Sequence, residues 1–378
     1  MHFEPRVLVG SLALSGVLLA GLAREDGLPP KVEARCFLVS EGEPVCFEYV
    51  HRQGWGVSER TGKLWWMDHA LTRRPLEDSA GRETLLEGLP TFATIGQKEP
   101  AFFDVLPTEA GGWIAAWSFC PGGGYWVRVV RSSSDAERGY LQWTYDGITA
   151  LGDELEIGFH YVKDPGLFEF NGRVHLYGIA LGSVFREQGT VEGEEPADYL
   201  GYVIWSCPIP EEGARGAGSP EHSPASGQVR PEASLIGPGM SARVCANGPG
   251  LLMAVSELDS TDPAERRTPV AFYRSTDAEN WTRDESLSGS VSAPGGFDVA
   301  FIRGQLHLVT RGEANGHVVV YRLEASGEGW ETVFDLDEDP SPSYPTPGGF
   351  VQILALDAVD AGCIAYADED GELVRIDL

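Results

Sequence analysis

The chain has 378 residues, with 57 acidic against 28 basic side chains and a formal net charge of −29. A surface of that sign repels nucleic acid and anionic membranes, which excludes both as primary partners; it favours solubility, the other use being attraction of cations or basic partners. Gly (47), Pro (25) and Trp (10) are plentiful and only 22% of residues are charged, a profile of many short strands joined by tight turns rather than of a helical bundle.

At the N-terminus, Arg6 precedes an apolar run from Val7 to Leu22, and Gly21-Leu22-Ala23 offers small residues before the charged Arg24-Glu25-Asp26. This is the layout of a cleaved signal peptide over 1–23, and the expected compartment is secreted or periplasmic. An uncleaved anchor is the alternative, although the run is shorter than a usual span. No later segment is apolar enough for membrane insertion. Six cysteines suit an oxidising compartment. Cys36 and Cys46 flank the turn-like Ser40–Pro44 and are expected to face each other as a disulfide across a hairpin. The remaining four leave their pairing open.

Repetition organises the rest. Gly166–Tyr177 and Asp298–Val309 each read as an apolar strand, a Gly-centred turn and an alternating strand with a His three residues past the Gly (His175, His307). Weaker copies are expected to turn at Gly42, Gly111-Gly112, Asn247-Gly248 and Ala361-Gly362, giving six units at intervals of 56–76 residues. Units of that length suit four-stranded blades. The expectation is an all-β, six-bladed β-propeller occupying 24–378 as a single domain, with seven blades possible if long loops hide one. The low-complexity stretch 213–231 is expected to be a disordered loop between blades.

A second recurring element follows several hairpins. Ser275, Asp277 and Trp281 form one copy, and Ser133, Asp135 and Trp143 a looser one. These resemble the Asp-box hairpins (BNR repeats) of sialidase-type propellers. The resemblance implies a structural turn in which the Asp accepts backbone N–H groups and the Trp covers the hairpin; Glu279 stands where that motif has Gly, and Trp281 arrives one residue early. It implies fold rather than chemistry.

In a propeller the mouths of the innermost strands converge on one funnel. His160-Tyr161-Val162-Lys163-Asp164-Pro165 precedes one such strand and resembles a segment of glycosidase propellers, which implies a sugar-orienting role for Asp164. A glycosidase needs a second carboxyl group about 5–9 Å away; Asp104, Asp298 and Glu99 are the candidates. His160, Tyr161, Lys163 and Arg243 are the candidate ligand-binding residues. A sialidase would need three Arg, and only Arg243 is well placed. No cofactor or metal is expected: Pro340 stands where a calcium loop from Asp335 would need Gly, and the His pair reads as structural. Two functions therefore stand open: a non-catalytic propeller that binds a carbohydrate or protein ligand, and a glycoside hydrolase acting in the funnel. A monomer is expected in either case.

Overall fold

The computed structural model describes residues 31–378 apart from 41, 56–64, 78–80, 88–102, 108–111, 120–125, 136–139, 147–161, 182–201, 210–233, 258–267, 290, 294–295, 312–317, 328, 337–350, 357–360 and 368–371. The signal-peptide region, the 213–231 stretch, Glu99, His160 and Tyr161 lie outside the described residues.

The chain folds as antiparallel meanders taken in order. The first is β1 (Lys31–Ser40), β2 (Glu43–Trp55), β3 (Trp65–Pro75) and β4 (Glu83–Glu87); the second is β5 (Phe103–Pro107), β6 (Trp113–Phe119), β7 (Trp126–Asp135) and β8 (Tyr140–Asp146). The third is β9 (Val162–Phe170), β10 (Arg173–Leu181), β11 (Tyr202–Pro208) and β12 (Ser234–Pro238); the fourth is β13 (Ser241–Asn247), β14 (Gly250–Ser256), β15 (Val270–Ser275) and β16 (Thr282–Arg283). The fifth is β17 (Phe297–Ile302), β18 (Gln305–Arg311), β19 (Val318–Leu323) and β20 (Trp330–Leu336), and the last is β21 (Gln352–Leu356), β22 (Ala361–Ala367) and β23 (Leu373–Asp377). The first strands of successive meanders pack on one another in the cycle β1, β5, β9, β13, β17, β21 and back to β1. That cycle makes the fold a β-propeller. The expectation of six four-stranded blades is corrected: five sheets have four strands, and β21–β23 has three among the described residues.

Local sequence explains the hairpins. Asn171-Gly172 and Arg303-Gly304 both hold two consecutive residues at positive φ (50° and 73°, 53° and 72°), the backbone of the two-residue turn whose twist matches the flanking strands. His175 lies opposite Phe168 and His307 opposite Ala300, so the repeat position read from sequence is a common ladder position. Gly362 is a correction: it pairs with Ala355 inside the sheet, one residue past the first of β22.

The blades stack through apolar faces. Phe168, Tyr177 and Ile204 meet Met253 and Tyr273; Leu252 and Phe272 meet Phe297 and Leu308. The ring closes where Phe37, Cys46 and Leu76 of the first blade meet Leu354, Leu356, Cys363 and Ala365 of the last. Each large side chain buried there contributes about 1.5–3 kcal/mol. The expected Cys36–Cys46 disulfide is absent, because the register sets Cys36 opposite Phe47 and Cys46 opposite Phe37. The two thiols therefore face different blades, Cys36 toward the second and Cys46 toward the last. All five described cysteines are free.

Past β15, Asp277 Oδ1 accepts the backbone N–H groups of Glu279 (2.9 Å) and Asn280 (2.7 Å), and Ser275 Oγ bonds Asp277 Oδ1 at 3.0 Å. Those donors, Asn280 foremost, hold the Asp277 carboxyl well below the usual range. The Trp281 ring packs edge-on to Phe168 of the preceding blade, 6.2 Å between centroids. In the looser copy the strand continues through Asp135, which pairs with Tyr140, while Ser133 pairs with Gln142 and Trp143 with Ser132.

Gly166 lies opposite Tyr177, whose ring crosses it: a Cβ at Gly166 would stand 2.0 Å from Tyr177 Cζ. Gly166→Ala is expected to displace the ring and destabilise the fold by about 2 kcal/mol, as overpacking of a filled site does. Urea unfolding checks this, and an unchanged midpoint would show the ring to be free to move.

Candidate functional site

The innermost strands share a register. Cys36, Gly166, Arg243, Asp298 and Gln352 each stand four residues before the last paired residue of their strand (Ser40, Phe170, Asn247, Ile302 and Leu356). They form one rung around the channel. Asp104 joins it through a bonding pattern like that of Asp298.

An innermost strand has no sheet neighbour on its channel side, so that edge needs other acceptors for its N–H groups. The rung provides them. Asp104 Oδ1 accepts from its own neighbour Val105 N (2.9 Å), and Oδ2 from Leu167 N of β9 (2.7 Å). Asp298 repeats this with Val299 N (2.9 Å) and Ile353 N of β21 (3.0 Å). Gln352 Oε1 accepts from Phe37 N of β1 (2.6 Å), and the Cys36 thiol donates to Asp104 Oδ1 (3.3 Å). Side chains of one blade thus clasp the backbone of the next.

Between β9 and β13 the clasp is ionic. Asp164, two residues ahead of the rung, accepts from Ser241 Oγ (2.5 Å) and Arg243 Nη1 (3.0 Å) through Oδ2. Lys163 pairs with Ile179 and Gly166 with Tyr177, so Asp164 and Pro165 together oppose Gly178 in a bulge. Asp164 sits there at φ 45°, an unusual conformation for a residue with a side chain, and one that surrounding structure must enforce. Arg243 of β13 also feels the charge of Asp298 on β17.

Charge is concentrated here. Burial pushes the Asp298 carboxyl up to about 6, against the opposing pull of Arg243 and of the Ile353 and Val299 N–H groups. Burial raises Asp104 in the same direction. It also pushes the Tyr177 hydroxyl well up; Arg243 opposes this, while Asp104, Asp164 and Asp298 add to it. Arg243 is held above its ordinary value because Asp164, Tyr177 and Asp298 together outweigh the cost of burying it.

Asp104, Asp164, Asp298 and Arg243, read from sequence as separate candidates, therefore converge on one cluster. Lys163 contributes backbone pairing in β9. Tyr177, Ser241 and Gln352 were not singled out, and Cys36 was read only as a disulfide partner. Tyr177 was detectable in principle, because a large ring facing a strand glycine is a pairing signal; Gln352 carries no sequence mark, and nothing in the sequence links Cys36 to Asp104. Among the described residues no group of three or more His, Cys, Asp or Glu is placed to hold a metal ion. His175 and His307 are buried, and burial lowers both imidazoles below their ordinary value.

No family model and no curated protein matches the sequence. Among solved structures, the α-L-arabinofuranosidase Arb93A of Fusarium graminearum, in complex with an iminosugar inhibitor, superposes with a TM-score of 0.53 at 12% identity, over 93% of this chain and 95% of that one. The Trypanosoma rangeli sialidase, in complex with the inhibitor DANA, also gives 0.53, at 10% identity, over 93% of this chain and 55% of that one. At these identities the likeness is one of fold: a propeller of the kind that glycosidases use.

Proposed function

We propose that this protein is an exported propeller that binds carbohydrate at the mouth of its central funnel without hydrolysing it. The observation that carries this reading is the occupation of the rung carboxylates: both oxygens of Asp104 and of Asp298 already accept backbone N–H groups. A carboxylate so bonded is a poor base or nucleophile, because its lone pairs are engaged and its charge is spread over its donors. Asp164, Ser241 and Arg243, bonded to one another, offer the mixture of acceptors and a guanidinium donor that sugar hydroxyls bind well. A neighbour in fold that is an arabinofuranosidase in complex with an iminosugar inhibitor supports carbohydrate over a protein ligand, and the apolar run Val7–Leu22 supports export.

One observation favours the hydrolytic alternative. Burial raises the Asp298 carboxyl to about 6, toward the range of a general acid, and the charge of Asp104 adds to the rise.

The binding reading is tested by isothermal titration with arabinobiose and a panel of other neutral disaccharides. At least one is expected to bind, and Asp164→Asn to weaken it by roughly 10-fold or more through loss of a charge-assisted hydrogen bond. Failure of the whole panel, or equal affinity in the variant, would remove the funnel as a sugar site.

A further inference from the structure

One position of the rung carries no side chain. Gly166 stands where other innermost strands place Cys36, Arg243, Asp298 or Gln352, and Tyr177 of β10 lies opposite it. A Cβ at Gly166 would collide with Tyr177 Cζ and Oη. The tyrosine hydroxyl therefore takes the place of the missing rung side chain, delivered from a second strand. It lies within electrostatic reach of Arg243, Asp104, Asp164 and Asp298. Asp164 is also close along the ladder, since it opposes Gly178, the chain neighbour of Tyr177.

The other polar groups of the rung are committed. Asp104, Asp298, Gln352 and the Cys36 thiol bond to backbone or to one another, and Arg243 bonds Asp164 and the Ala242 carbonyl. Two oxygens differ. Tyr177 is only 3% exposed, and among the described residues its hydroxyl has no hydrogen-bond partner. Asp164 takes both its bonds through Oδ2, which leaves Oδ1 without a donor among the described residues. Neither oxygen belongs to the fully enclosed polar atoms that lack a partner, so both keep contact with solvent. A buried tyrosine hydroxyl usually finds a partner. Burial raises this one well above its ordinary value, so it stays protonated and can donate. A donor beside an acceptor suits a hydroxyl group, which accepts and donates at once.

We infer that Tyr177 is a specificity-determining residue of the funnel, its Oη donating to, and Asp164 Oδ1 accepting from, one hydroxyl of a neutral sugar. The inference rests on the carbohydrate reading and deepens it, because a sugar lacking that hydroxyl would leave both protein groups unpaired. Tyr177→Phe keeps the ring over Gly166 and removes only the hydroxyl. Isothermal titration with arabinobiose and the same neutral disaccharides is expected to show affinity lowered roughly 10-fold in this variant. Its urea midpoint without sugar is expected to stay unchanged or to rise, because the hydroxyl removed makes no bond within the protein. A lowered midpoint would assign the hydroxyl a structural bond and overturn the inference, whether or not any sugar binds. Unchanged affinity in Tyr177→Phe, with affinity lost in Asp164→Asn, would overturn it and leave the carbohydrate reading standing. Failure of the wild-type protein to bind any of the panel would remove both.

Discussion

Glu48→Gln is expected to cost about 3–5 kcal/mol of folding stability, the range found when one partner of a buried ion pair is removed. The replacement keeps the shape of the side chain, so packing against the last blade is preserved and the loss is electrostatic. Arg35 Nε and Arg74 Nη2 each stand 3.2 Å from Glu48 Oε1 at 7% side-chain exposure, and both would lose that charge. Arg82, at 34%, can turn to water. Because a domain of this kind has roughly 5–15 kcal/mol in hand, the variant should unfold at much lower urea than the wild type. Arg82→Ala, which leaves Arg35 and Arg74 on the carboxylate, should cost less, about 1–3 kcal/mol. Equal effects of the two substitutions would mean that Glu48 is not the centre of the network. The seam between first and last blades is where a propeller must close, and Arg375–Glu77 adds a second, exposed pair across it.

Arg243→Met should have a comparable effect at the rung, again about 3–5 kcal/mol, since it leaves Asp164 buried without its cation. This loss should depend on pH in an unusual direction. Asp298 has a folded-state pKa above its ordinary value, so its contribution is fully present below the ordinary carboxylate range and is lost as pH rises through about 6. Arg243 now moderates that loss by favouring the ionised form. Without it the Asp298 pKa should climb further, and the variant should regain stability as the pH is lowered from 8 toward 5 more steeply than the wild type does. Urea titrations at four pH values would show it; parallel curves would mean that Arg243 and Asp298 are uncoupled.

The repeat was legible because hairpins leave local marks. Asn171-Gly172 fixes a turn through backbone conformation, and the alternation around His175 and His307 fixes which face each strand buries. Asp104, Asp164, Asp298 and Arg243 were legible as candidates because they precede or occupy innermost strands. Their bonding was not legible: whether a carboxylate faces solvent or the N–H of Leu167 or Ile353 depends on how one blade leans on the next, which is a long-range property. The same limit defeated the Cys36–Cys46 expectation. Nine residues and a turn between them suggested facing thiols, but a register one residue away puts them on opposite faces. The Glu48 cluster draws on residues 35, 48, 74 and 82, whose spacings follow no motif, and only the pairing of β1, β2 and β3 brings them together. The last sheet, three-stranded among the described residues, likewise has no signature in the turn spacing.

The most direct measurement of the central claim is product release from any disaccharide that the wild-type protein binds, followed by chromatography from pH 4 to 8. Binding with no cleavage above the buffer blank, and sugar affinity lowered in Asp164→Asn, is the result expected of carboxylates committed to holding the ring together. Turnover that falls away above about pH 6 and disappears in Asp298→Asn would contradict it and make Asp298 a catalytic acid.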